Sequence, residues 1–177
     1  MPDATPSDPE LIAAWRRGEE AAAAELVRRH ARAVARFLSA AGAGEDVEDL
    51  VQETFYRAFR KIESFRGGAS FRTWAMSIGS NALKDLRRRA RRRPVVALDE
   101  HEVADGADPH EELVTSEAAH RIQNELARLP RMQRDVFLLR AQQGLEYEDI
   151  AAALGTTVGA ARVHYHHAVR RLKKVTE

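Results

Sequence analysis

Apolar residues recur at intervals of three and four along most of the chain, and glycine and proline punctuate that rhythm, which predicts an all-α protein. Leu11, Ile12 and Trp15 form the inner side of a first helix, capped by Ser7 or Asp8, pre-organised by Pro9 and stopped near Gly18. From Glu19 to Ala41, Leu26, Val27, Val34, Phe37 and Leu38 keep helical spacing until Gly42 and Gly44. The cleanest period runs from Asp46 to Glu63, where Val47, Leu50, Val51, Thr54, Phe55, Ala58, Phe59 and Ile62 share one core face. A fourth helix, closed by Pro94, turns Phe71, Trp74, Ala75, Ile78, Ala82 and Leu86 inward.

Residues 94–116 break the pattern: they hold Gly106 and Pro109 and sustain no period, so a linker that is mobile when unbound is expected there. Helical spacing resumes from Glu117 with Ile122, Leu126 and Leu129. Pro130 then starts a helix carrying Met132, Val136, Phe137 and Leu139, which Gly144 ends. YEDIAAAL over 147–154, then Gly155, Thr156 and Thr157, then a helix from Val158 to about Val175, describe a helix-turn-helix. Ala151 is small where its two helices cross, Gly155 suits a left-handed turn, and Val158, Ala161, Tyr165, Ala168 and Leu172 face inward. The expected architecture is therefore two small helical domains, 1–93 and 117–177, joined by an acidic flexible linker over 94–116.

Charge sharpens this division. The net charge is +1, but residues 1–93 carry 18 Lys and Arg against 13 Asp and Glu. Residues 94–116 carry none against 7, and residues 117–177 carry 10 against 7. Two basic bodies on an acidic strap suit two contacts with a polyanion and a middle that avoids or imitates it. The chain has no cysteine, which removes disulfides, thiolate metal sites and cysteine nucleophiles, and makes a reducing, cytoplasmic setting the expectation. No apolar run approaches the ~20 residues that span a bilayer, so no membrane insertion is expected.

Three groups of residues carry candidate chemistry. Arg87, Arg88, Arg89, Arg91, Arg92 and Arg93 surround the end of the fourth helix, which no interior neutralises. Alone they read as a solvated charge run or a localisation signal; with Gly67, Gly68, Asn81 and nearby aromatics they point to nucleic acid. Glu45, Asp46, Asp49, Gln52 and Glu53 converge on the outer side of the third helix, as a dipole-matched solvated face or a docking strip for a basic partner. On the last helix, Thr157, Gly159, Ala160, Arg162, Val163, His166, His167, Arg170, Arg171, Lys173 and Lys174 form a surface suited to the major groove and its phosphates. His164, His166 and His167 do not share one helix face, and groove contact or packing outweighs metal binding there, so neither a metal nor a cofactor is expected.

The order EDVEDLVQETFYRAFRKIESFRGGASFRTWAMSIGSNALKDLRRR, an acidic linker, then LARLPRMQRDVFLLRAQQGLEYEDIAAALGTTVGAARVHYHHAVRRLKK closely resembles the sigma-70 family, in particular its extracytoplasmic-function (ECF) group. The resemblance spans nearly the whole chain and implies a transcription factor without catalytic activity, whose partners are core RNA polymerase, promoter DNA and an anti-sigma factor. It makes Asp46, Asp49, Gln52 and Glu53 the residues that dock on the clamp helices of the largest polymerase subunit. It makes the loop Ser64, Phe65, Arg66, Gly67, Gly68 to Phe71, with Trp74 and Asn81, the device that captures a base flipped from the minus-ten element, with Lys84, Arg87, Arg88 and Arg91 on adjacent phosphates. The helix-turn-helix, through Thr157, Gly159, Ala160, Arg162, Val163, His166, His167 and Arg170, would read the minus-35 element, and the linker would enter the RNA path.

Unstacking a base costs a few kcal/mol and stacking it on an aromatic returns ~1–3 kcal/mol, so one loop holds an opened base but does not melt a duplex unaided. Two departures from the family pattern stand out. Gly79 and Ser80 occupy helix positions where the family carries bulkier residues, which suggests close approach of a partner. ARVHYHH replaces the group's commoner basic and leucine-containing pattern, so no promoter sequence is transferred. Two other readings compete. An ordinary helix-turn-helix regulator would bind a palindromic duplex without polymerase. A metal-dependent nuclease would use Asp46, Asp49 and Glu53.

Overall fold

The computed structural model describes residues 5–92 and 117–176, and every regular element among them is helical. In chain order they are α1 (Asp8–Arg16), α2 (Glu20–Ala40), α3 (Val47–Arg60), α4 (Phe71–Arg92), α5 (Glu117–Arg128), α6 (Arg131–Ala141), α7 (Tyr147–Leu154) and α8 (Val158–Thr176), with single 3-10 turns at Gly44–Asp46 and Ile62–Ser64. The expected linker and Arg93 lie outside the described residues.

Helices α1 to α4 share a core because each contributes one apolar stripe. Leu26, Val34, Phe37 and Leu38 of α2 meet Leu50, Phe55 and Ala58 of α3 and Phe71, Ala75, Met76 and Leu83 of α4, all buried. Each such side chain contributes about 1.5–3 kcal/mol of burial. Trp15 reaches the same core, its ring 5.2 Å from that of Phe59. At the start of α1 the Glu10 carboxylate accepts hydrogen bonds from both the backbone N–H and the hydroxyl of Ser7, each 2.7 Å, which fixes the cap expected there. Gly18 ends the helix with φ 91°, a conformation glycine adopts without cost.

Two expectations are corrected. Helix α3 stops at Arg60 rather than Glu63, because Lys61 N–H is shared between the Arg57 and Ala58 carbonyls at 3.1 Å and the last turn tightens into 3-10 geometry. Ile62 keeps its place in the core all the same. In α4 burial is not confined to one stripe: Thr73, Met76, Ser77, Gly79, Ser80 and Leu83 are buried beside Phe71, Ala75, Ile78 and Ala82. The helix runs between α2 and α3 on one side and the C-terminal helices on the other, and its small residues admit close neighbours on both.

Helix α8 is the axis of the C-terminal body. Its Ala161, Ala168 and Leu172 pack with Leu126 of α5 and Leu129 just beyond it, with Val136, Leu138 and Leu139 of α6, and with Ile150 and Ala151 of α7. Phe137 and Met132, expected inside, are only half-buried, while Leu138 is fully buried. The α6 register turns Arg134 and Asp135 inward as well. Phe137 instead stacks on Tyr165 at 5.9 Å. The two bodies touch where Ser80 of α4 donates a hydrogen bond to Asp135 of α6, and Asn81, one position on, stays exposed.

Candidate nucleic-acid interface

The loop before α4 is held from three directions. Arg16, at the end of α1, donates to the carbonyls of Ile62 (2.9 Å) and Phe65 (3.2 Å). Ser70 caps α4 by accepting the Thr73 N–H at 3.1 Å. The Phe65 ring packs 5.1 Å from Trp74 and edge-on to Phe71 at 6.1 Å. Between these fixed points Arg66, Gly67 and Gly68 are exposed, and Gly67 has φ 72°. Arg16 and Ser70 were missed by sequence reasoning. Ser70 had a local signal as a serine directly before the first apolar residue of the helix, whereas Arg16 acts over 46 positions and had none.

Beyond the buried first turns of α4 an exposed polar row follows. Asn81, Lys84, Arg88 and Arg91 are spaced so as to lie on one side of the helix, and all four are exposed. Half-buried Trp74 lies at the head of the same side, under Phe65. Two expected contacts do not belong to the row. Phe71 is only 2% exposed and locked among Phe59, Phe65, Trp74 and His30, so it supports the loop and offers no face to a base. Arg87 turns the other way: its Nη2 donates to the carbonyls of Ala41 (2.9 Å) and Gly42 (2.8 Å), capping the end of α2. Burial, and then Arg134 nearby, lower its pKa, yet it stays cationic and satisfies two otherwise unpaired acceptors. Arg88 also lies 3.5 Å from Asp85, an exposed pair that leaves it free to exchange partners.

Asp46 at the start of α3, and Asp49 and Gln52 along it, are exposed, as expected of a docking strip. Glu53 differs. It accepts the Arg57 Nε–H at 2.6 Å, and Arg57 also reaches Asp85 of α4 at 3.0 Å, tying the two helices together. These bonds raise the Arg57 pKa, Glu53 contributing most, and Arg57 lowers that of Asp85. Asp46, Asp49, Leu50, Glu53 and Asp85 line a cleft of about 280 Å³ between the helices. No group of three or more His, Asp or Glu among the described residues is placed to hold a metal ion. Tyr56, one turn beyond Gln52, is 57% exposed, with the Arg60 guanidinium 5.5 Å over its ring.

The helix-turn-helix is built as expected. Gly155 takes the left-handed conformation at φ 64°, and Thr156 N–H closes the turn on the Ala151 carbonyl at 3.0 Å. Thr157 caps α8 by accepting the Ala160 N–H at 3.1 Å, so its hydroxyl is partly engaged. Beyond it Gly159, Arg162, Val163, His166, His167 and Arg170 are exposed, while Ala160 is half-buried. Arg162 lies 5.5 Å over the Tyr147 ring and 3.9 Å from Glu148, long contacts that orient it at the rim of α7.

Both halves match known families of sequence. Residues 26–93 match the model of sigma-70 region 2 and residues 119–172 that of sigma-70 region 4. The ECF RNA polymerase sigma-E factor of Haemophilus influenzae is 32% identical over 166 residues, covering 88% of each chain. That of Escherichia coli K12 is 31% identical, covering 88% of this chain and 87% of the relative. Among solved structures, CnrH in complex with the cytosolic domain of CnrY has a TM-score of 0.70 at 28% identity, covering 96% of both chains. The fold is also that of the sigma factor RpoE in complex with the anti-sigma factor NepR from Bartonella quintana, with TM-score 0.68 and 24% identity over 86% of this chain and 94% of that one. The matched regions and helical architecture define a promoter-specificity factor of transcription initiation. The chain belongs to the sigma-70 family, in its ECF group of RNA polymerase sigma factors. No helix among the described residues is long and apolar enough to cross a membrane.

Proposed function

We propose that this chain is a dissociable, non-catalytic specificity subunit that binds core RNA polymerase in the cytoplasm and directs it to promoters with two separate readers. The observation that carries this is the pair of exposed stretches on this body, the loop at Arg66, Gly67 and Gly68 and the row Asn81, Lys84, Arg88 and Arg91 on one side of α4. A flipped minus-ten base enters at the loop, where Trp74 and Asn81 lie close to its path, and the strand's phosphates follow the cationic residues down the helix. The exposed side of α8 takes the minus-35 element in the major groove, with Arg162, Val163, His166 and Arg170 toward base edges and flanking phosphates.

Asp46, Asp49 and Gln52 form the polymerase-docking strip, beside the cleft that α3 shares with Asp85 of α4. In this reading 1–93 docks and reads the minus-ten element, 94–116 links, and 117–177 reads the minus-35 element. An anti-sigma factor, tied to a membrane of its own, is the partner that holds such a subunit in reserve. CnrH, solved with the cytosolic domain of CnrY, supports a partner of this kind.

The test is reconstitution with sigma-free core polymerase and a promoter library. Initiation confined to a shared sequence pattern is expected; sequence-independent initiation, or none, overturns the reading.

A further inference from the structure

Among the described residues two large apolar side chains stand out into solvent, Val163 at 52% and Tyr56 at 57% exposure. Val163 belongs to the surface assigned to the minus-35 element; Tyr56 lies one turn beyond the acidic strip of α3. A single exposed aromatic is ordinary on a protein surface, so exposure alone decides nothing. Its position decides more. Asp49, Gln52, Tyr56 and Arg60 follow one another at intervals of three and four and are all exposed, which puts them in one line down the outer side of the helix.

That line is graded in charge. At its N-terminal end Asp46 and Asp49 border the cleft between α3 and α4, which Leu50, Ala82 and Leu86 also line. Four acids and two arginines surround the cleft, so it is acidic overall. Glu53 and Asp85 are already held by Arg57, which leaves the exposed Asp46 and Asp49 to meet a cation from outside. At the C-terminal end stands Arg60. Its guanidinium lies 5.5 Å over the Tyr56 ring, and its Nη1 donates to the Tyr56 hydroxyl at 3.2 Å. Both side chains are exposed, where such a pair is weak and readily exchanged. From Asp49 to Arg60 the line runs about 16 Å at the helical rise of ~1.5 Å per residue.

We propose that Tyr56 is the aromatic anchor of the polymerase-docking face, and that Arg60 beside it takes a carboxylate of the polymerase, so that the face reads acid, aromatic and base in order along α3. The proposal rests on the docking assignment of Asp46, Asp49 and Gln52 above. Tyrosine suits the task, because its ring gives a large apolar area to a partner while ordering only two torsions, and interfaces concentrate affinity in a few such side chains ringed by polar ones. Tyr56 has that ring, with Gln52 one turn before it and Arg60 one turn after. The graded charge also gives the surface a direction. A polymerase element lying along α3 must offer a basic side chain at Asp49, an apolar one at Tyr56 and an acidic one at Arg60. Turned end for end it meets like charges at both ends, which disfavours the wrong orientation.

The full chain and its variants compete for a limiting amount of sigma-free core polymerase. Tyr56→Ala is expected to compete at least about tenfold less well. Its urea midpoint should be unchanged, because the ring stands in solvent beside an equally exposed Arg60. Tyr56→Phe, which keeps the ring and drops the hydroxyl, should recover most of the loss. Arg60→Glu should weaken competition severalfold, more at low salt than at high. The anchor is overturned if Tyr56→Ala competes within about twofold of the natural chain, if Tyr56→Phe loses as much as Tyr56→Ala, or if Tyr56→Ala lowers the urea midpoint. An Arg60→Glu chain that competes as well as the natural one overturns the direction. Asp49→Arg separates the anchor from the docking assignment beneath it. Where Asp49→Arg competes poorly and Tyr56→Ala normally, the anchor alone fails; where both compete normally, polymerase docks on another face.

Discussion

A methyl group on Gly79 of α4 would lie 2.9 Å from the hydroxyl of Thr54 on α3 and 3.3 Å from Leu38 Cδ2 of α2. The Thr54 hydroxyl cannot swing away freely, because it is buried and donates to the Leu50 carbonyl at 2.6 Å. The glycine in mid-helix is thus explained by the chain's own packing, in place of the outside partner suggested by sequence. Gly79→Ala gains about 1 kcal/mol of helix propensity and loses about 1–3 kcal/mol to overpacking. The expected net loss is up to about 2 kcal/mol in urea unfolding. In a Thr54→Ala background the same substitution should be neutral or stabilising; an equal loss there would show that the clash is not the cause.

Arg87 and Arg91 stand four positions apart in one arginine run and do different work. Arg87→Ala strips two carbonyls at the end of α2 of a charged donor and should lower stability by about 2 kcal/mol. Arg88→Ala and Arg91→Ala should leave stability within about 0.5 kcal/mol. Each should instead reduce the salt slope of holoenzyme binding to a premelted promoter by ~0.7. Unfolding curves and binding isotherms at several salt concentrations separate the two effects, and a stable Arg87→Ala protein would refute the capping role.

The difference between these two arginines shows where the sequence was legible and where it was not. The core face of α3 from Val47 to Ile62 was readable because one side of that helix is apolar and the other polar, and the turn at Gly155 because its residue type fits its backbone. In α4 the apolar rhythm ends at Leu86, and six like charges hide which one turns inward. A faint signal existed, since Arg87 continues the buried series Met76, Gly79 and Leu83. Ser80 had no such signal, because its partner Asp135 lies 55 positions away and is specified only by the packing of two bodies. Phe71 was readable as core from its spacing, and its exclusion from the base pocket follows from that burial.

Glu25 gives the acid limb of stability a local cause. Its carboxylate accepts Arg28 Nε–H at 2.7 Å and Arg29 Nε–H at 2.6 Å, and these bonds, that of Arg28 foremost, pull its pKa from 4.5 to about 2. A carboxylate whose folded pKa is depressed stabilises the fold above its unfolded pKa and loses that contribution as pH falls toward the folded one. Stability should therefore decline between about pH 4.5 and pH 2. Glu25→Gln should flatten part of that decline while changing little in relative terms below pH 2. Urea midpoints measured across this range check it, and an unchanged slope in the variant would place the acid sensitivity elsewhere.

Asp49 and Glu53 share a face of α3, yet only Asp49 is free of other duties. It is exposed, whereas Glu53 is tied to Arg57 and through it to Asp85. Asp49→Arg should weaken binding to core polymerase by about tenfold, the equivalent of about 1.4 kcal/mol, through a slower association that salt exaggerates least when concentrated. Fold stability and binding of the isolated C-terminal surface to duplex should stay unchanged. Glu53→Arg should also weaken docking but in addition loosen α3 from α4, since it faces Arg57 with a like charge and leaves that guanidinium only Asp85. Measured by competition against the natural chain for a limiting amount of core enzyme, loss at Asp49 without loss of stability identifies a docking contact. If Asp49→Arg competes as well as the natural chain while Glu53→Arg fails and unfolds early, the acidic face is structural and polymerase docks elsewhere on the body.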